Sequence, residues 1–192
     1  MRILNSLMAL FFCFGIILVL FLFLLPQMKQ EMPQGLFYKE EVPLPSRLHP
    51  EVAQKKDELV ARAQEQGIDI IITEGHRTKE RQNNLYEQGR SKEGSIVTHA
   101  KGGESYHNYG LAIDFALKTD DGEVVWDTGR DDNGNGRSDW MEIVDVAKEL
   151  GFDWGGDWEN FKDYPHLQMD FGLSIRELKF GKRPNVDDYA DE

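Results

Sequence analysis

Cysteine is almost absent from this sequence: of 192 residues, only Cys13 carries a thiol. No internal disulfide can form, and no cysteine is available to ligate a metal beyond the N-terminal stretch. Positive charge is scarce too, with 22 Lys and Arg against 34 Asp and Glu and a formal net charge of -12. Nucleic acid and anionic membrane surfaces would repel such a chain, so neither is expected as a partner, whereas cations would be drawn to it. Ile3 to Leu25 is almost wholly apolar and, as a helix, would reach roughly 30 Å or slightly more, enough to cross a bilayer. Phe21, Leu22, Phe23, Leu24, Leu25 and Pro26 end the run where a cleaved signal peptide would show small residues. An uncleaved single-pass anchor over residues 1–25 is therefore predicted. Arg2 and Lys29 lie on its two sides, so charge alone barely sets its orientation. Cys13 sits between Phe12 and Phe14 and reads as part of the anchor.

Prolines 33, 43 and 45 among charged residues give residues 26–47 the composition of an extended linker. Pro50 then opens a predicted helix to about Gln66, with Val52, Ala53, Leu59, Val60 and Ala63 forming an apolar stripe and Gly67 ending it. Ile68 to Thr73 reads as a buried strand, Glu74 and Gly75 as a turn, and Thr78 to Gln88 as a second helix. From Leu111 to Leu117 the chain alternates: Leu111, Ile113, Phe115 and Leu117 share one face, and Ala112, Asp114 and Ala116 the other. A short strand at Glu123 to Trp126, a helix from Asp139 to Leu150 and a strand from His166 to Phe171 complete the outline. Without regular βαβ alternation, an α+β domain with a small antiparallel sheet is the expected class. The acidic end, residues 181–192, reads as a solvated tail.

Asp114 is flanked on its face by alanines, which leave room for an ion and a substrate. His166 and Gln168 share one face of their strand, opposite Leu167, Met169 and Phe171, so His166 can look into the same cleft. With His107 this makes two imidazoles and one carboxylate, a typical set for catalytic zinc, because three protein ligands leave a fourth position open. Zinc there makes water a competent nucleophile near neutral pH. Asp163, three residues before His166, is placed to act on that water as general base and then as proton donor to the leaving amine. Arg77 offers a planar fork of donors for a substrate carboxylate or for the oxyanion that develops on the attacked carbonyl.

Ser105, His107, Gly110, Ala112 and Asp114 in SYHNYGLAID resemble the first metal motif of the M15 family of D-Ala-D-Ala and related wall peptidases, and Asp163 and His166 in DYPH its second. EGHRTKERQNNLYEQGR, SYHNYGLAIDF and FDWGGDWENFKDYPHLQM together look like the L-alanyl-D-glutamate endopeptidase branch, known from phage endolysins and bacillus wall hydrolases. The resemblance spans about Leu48 to Phe180 and implies a compact hedgehog/DD-peptidase-like α+β domain over residues 48–180. It also implies zinc held by His107, Asp114 and His166, Asp163 acting on water, and Arg77 and Ser105 meeting substrate. His76 departs from the tyrosine expected beside the arginine. The expected partner is the peptidoglycan stem peptide, cut between L-Ala and D-Glu by a monomer held outside the cell membrane by its anchor. The alternatives are a D-Ala-D-Ala carboxypeptidase of the same family and a zinc-containing wall-binding module without catalysis.

Residues 131–142 read DDNGNGRSDWME. Asp131, Asn133, Asn135, Asp139 and Glu142, with the carbonyl of Arg137 and the turn at Gly136, fall at the ligand positions of an EF-hand loop. Ser138 stands where such loops carry an apolar residue, so an isolated calcium site is the expectation. Of the remaining features, His49 and His99 read as surface or loop residues. Among the tryptophans, Trp154 and Trp158 are the expected neighbours of the site, with Trp126 and Trp140 in the core or the cleft wall.

Overall fold

The computed structural model describes residues 42–184; the predicted anchor, most of the linker and the end of the tail lie outside this range. No helix among the described residues is long and apolar enough to cross a membrane.

Helix α1, Pro50–Glu65, begins where expected because Pro50 occupies its first turn and the His49 side chain accepts from the Glu51 N–H. His49 stands in the connection before the helix, as expected, but not at the surface: it is 2% exposed, its ring 4.7 Å from that of Phe171. Strand β1 covers Ile70–Glu74 rather than Ile68 to Thr73. Ile68 is buried, but its N–H closes the end of α1 on the Ala63 carbonyl and so is not free for a ladder. Glu74, expected in a turn, pairs with Asp114 across a register shift. Helix α2, Lys79–Glu87, is capped by Thr78.

Strand β2, Ala112–Lys118, is the centre of the sheet. Antiparallel β1 lies along one edge. Along the other run β3, Val124–Val125, and β5, His166–Gln168, with β4, Asp153–Trp154, beyond β5. The α+β class with a small antiparallel sheet is thus the observed one. Strand β5 stops short of Phe171 because that residue and Gly172 adopt positive φ angles of 52° and 74°, which turn the chain away. Helix α3, Asp139–Glu149, starts at its Ser138 cap. The last helix, α4, Ile175–Lys179, was not expected, although Ser174 and Glu177 form a capping box.

Alternation along β2 divides the molecule. Ile113, Phe115 and Leu117 join Val52, Leu59, Trp140, Ile143 and Leu167 in the core, where the rings of Phe115 and Trp140 lie 4.5 Å apart. Asp114 is left on the opposite face. Phe115 is wholly buried, so Phe115→Ala is expected to lower unfolding stability by about 3–5 kcal/mol in urea titration.

Candidate active site

Strand pairing assembles the site. Asp114 of β2 sits opposite His166 of β5, which places a carboxylate and an imidazole side by side. His107 arrives from a turn of 3-10 helix, Tyr106–Tyr109, that begins at Ser105, whose hydroxyl accepts from the His107 N–H. That turn leads into β2 through Gly110, with φ of 67°. A Cβ at Gly110 would stand 2.3 Å from the Arg47 carbonyl oxygen, so glycine is required for both reasons.

His107 Nε2 lies 3.2 Å from Asp114 Oδ1 and 3.1 Å from His166 Nδ1, and the last two are 3.4 Å apart. Among the described residues this is the one group of three or more His, Cys, Asp and Glu side chains whose donor atoms converge closely enough for an ion, all within 4.8 Å. The outer contacts set the tautomers. The Gly75 carbonyl, which can only accept, is 2.7 Å from His107 Nδ1, so Nε2 presents its lone pair inward. Gln168 Oε1 is 3.0 Å from His166 Nε2, which leaves Nδ1 to face the centre. Burial alone would raise the Asp114 pKa, but the neighbouring imidazoles of His107 and His166 hold it well below the usual carboxylate range. Two imidazole nitrogens and an ionised oxygen, each fixed from behind, fit a zinc ion.

Arg77 is buried, and both arms of its fork are engaged. Nη2 donates to Asp114 Oδ2 at 2.9 Å and Nη1 to Gln82 Oε1 at 3.0 Å. Gln82, wholly buried, donates in turn to the Ala100 carbonyl at 2.8 Å. Sequence reasoning missed Gln82. No sequence signal marks it, because in a helix as polar as KERQNNLYE both its burial and its partners depend on the fold. Gln168 was placed on the correct face but given no role. Its Oε1 orients a ligand, so Gln168→Leu is expected to weaken zinc binding about 10- to 100-fold in chelator competition.

His107, Asp114, His166, Arg77 and Gln168 line an open cleft of about 650 Å³ together with Asp163, Ser105, His99, Trp126 and Trp158. Burial pushes the Asp163 carboxyl above its ordinary pKa, against the pull of His166. The strand-to-turn segment behind it is tight: a Cβ at Gly155 would lie 2.5 Å from the Asp163 carbonyl oxygen. Trp158 packs on His166 with ring centroids 5.1 Å apart. Trp154, expected beside it, is instead buried, its indole N–H donating to the Tyr164 carbonyl. Trp126 takes that place at the cleft. His99 stands at the cleft in a loop, edge-on to Phe161.

The 131–142 loop lies apart from the cleft lining. Asp131 accepts the N–H groups of Asn135 and Gly136, and the amides of Asn133 and Asn135 donate to Glu142. Arg137 pairs with Asp145, and Asp139 accepts the Asp132 N–H. Its acids therefore do not form a second convergent group.

A peptidase M15 family profile described as D-alanyl-D-alanine carboxypeptidase matches residues 98–169. The peptidoglycan L-alanyl-D-glutamate endopeptidase CwlK of Bacillus subtilis (strain 168) is 61% identical over 130 residues, 68% of this chain and 78% of that protein. The L-alanyl-D-glutamate peptidase of Listeria phage A118 is 39% identical over 106 residues, 55% of this chain and 32% of that protein. A crystal structure of the Serratia marcescens L-Ala D-Glu endopeptidase ChiX aligns with a TM-score of 0.44 and 25% identity, covering 75% of this chain and 98% of that one.

Proposed function

The chain belongs to the M15 family of peptidases, and from that premise we propose that it is a zinc-dependent peptidoglycan hydrolase cutting the L-Ala–D-Glu bond of stem peptides. The convergent His107, Asp114 and His166 carry this reading. Zinc, when bound there, supplies a Lewis acid that makes water nucleophilic near neutral pH. Asp163, within the same cleft, takes a proton from the attacking water and delivers it to the departing D-Glu amine, so that L-Ala gains the carboxylate. Arg77 holds Asp114 in its ligating orientation, and its positive charge in the cleft lining favours a developing oxyanion or a substrate carboxylate. Ser105 lies on the same wall and meets substrate. Mass spectrometry of muropeptides treated with the full-length protein tests the reading. New D-Glu amino termini support it; release of D-Ala alone makes the chain a carboxypeptidase, and no product makes it a binding module.

The apolar stretch Ile3 to Leu25 supports a single-pass anchor that keeps a monomeric catalytic domain on the outer side of the cell membrane, where its substrate lies. Protease accessibility of the domain in intact cells tests that placement. Calcium binding in the 131–142 loop is supported by Asp139 and Glu142, 2% and 7% exposed, and by Asp139 Oδ1, which has no partner among the described residues. Rotating the Asn133 and Asn135 amides would turn their oxygens toward a cation shared with Glu142. A melting temperature unmoved by millimolar calcium contradicts this part.

A further inference from the structure

In peptidoglycan the amine of L-Ala is acylated by the lactyl group of muramic acid. The sugar therefore stands only two residue-length units from the scissile carbonyl, at most about 7 Å when extended. An enzyme that cuts this bond in glycan-attached stem peptide meets the saccharide close to its cleft. The cleft has two tryptophans in its lining. Trp158 is committed to the wall beside His166, against which it packs. Trp126 is 57% exposed and has no aromatic partner among the described residues.

The strand register fixes where Trp126 stands. Leu117 pairs with Ile70 on one side and Val125 on the other, while Asp114 pairs with Glu74 and His166. Strands β3 and β5 thus follow the same edge of β2, one after the other. Trp126 comes directly after β3, next to the point where the Phe115 N–H donates to the Pro165 carbonyl. It and Asp163 both line the cleft. An indole face left open there offers a flat, electron-rich surface to the weakly positive C–H groups of a pyranose ring.

Resting on the reading of the site as an L-alanyl–D-glutamate peptidase, we propose that Trp126 is the platform on which the muramic acid ring of the substrate stacks. The residue determines specificity by recognising the glycan end of the stem peptide and takes no part in the proton transfers.

The test compares the zinc-loaded full-length wild type, Trp126→Ala and Trp126→Phe on two substrates: N-acetylmuramoyl-L-Ala-D-Glu-diaminopimelate and the same peptide without the sugar. Trp126→Ala is expected to raise KM for the sugar-bearing substrate about 10-fold with kcat held, and to leave both constants for the free peptide within about twofold. Trp126→Phe should restore most of the affinity. Melting temperatures should match, since the side chain is largely in solvent. Equal losses on the two substrates, or no change on either, overturn the platform while leaving the peptidase reading intact. A wild type that cuts neither substrate overturns the peptidase reading and the platform with it.

Discussion

Asp163→Ala is expected to lower kcat for muropeptide cleavage by about 10²- to 10⁴-fold while zinc still binds with wild-type stoichiometry. Asp163 lies in the cleft but outside the convergent ligand group, so its removal should take away proton transfer and leave the metal. The direction of its pKa adds a second signature. Burial raises that pKa in the folded chain, so the metal-free protein is stabilised by Asp163 below the ordinary carboxylate value and loses that contribution as pH rises through the raised one. At neutral pH the ionised side chain is therefore a burden on the metal-free fold. Asp163→Asn should melt at or above the wild-type temperature although it has lost activity. In the wild type, kcat/KM should fall as acid protonates this base, and the residual activity of Asp163→Asn should lack that limb. A variant that loses activity and stability together would point to a structural role instead.

His166→Ala is expected to abolish cleavage by removing the metal. The loss of zinc affinity should exceed the about 10- to 100-fold that removing an outer hydrogen-bond partner costs. It should exceed that of Gln168→Leu for the same reason, because Gln168 only orients the ring that His166 supplies. His166 also sits in registered pairing with Asp114, and that pairing is made by the backbone and survives the substitution. The variant should therefore remain folded, with a circular dichroism spectrum like that of metal-free wild type. Equilibrium dialysis showing one zinc per chain in His166→Ala would remove it from the ligand set.

The site was legible because the strand pattern is two-sided. Alternation through β2 put Asp114 on a face of alanines, and alternation after Pro165 put His166 on a matching face. Pairing of the two strands then made these faces one. What escaped were contacts that only the folded arrangement of loops brings about. The partners of Gln82, Arg77 and Ala100, come from the connection between β1 and α2 and from a loop, and the acceptor of His107 is a backbone carbonyl at Gly75. No local pattern encodes either. The burial of His49 escaped because a histidine before a proline-led helix reads as exposed until its ring is seen to cap that helix and pack on Phe171. The exchange of Trp154 for Trp126 has a similar cause. Strand β4 spans two residues, too few for any periodicity to show which way its indole points. Arg77 was read as a group facing substrate, and its grip on Asp114 emerged only from the fold.

Titration of zinc into the metal-free protein, with D-Glu amino termini released from muropeptides counted at each step, tests the central claim most directly. Cleavage should be absent without zinc and rise in proportion to the metal added until one ion per chain is bound. Cleavage by the metal-free protein, or full occupancy by zinc with no D-Glu amino terminus released, would contradict it.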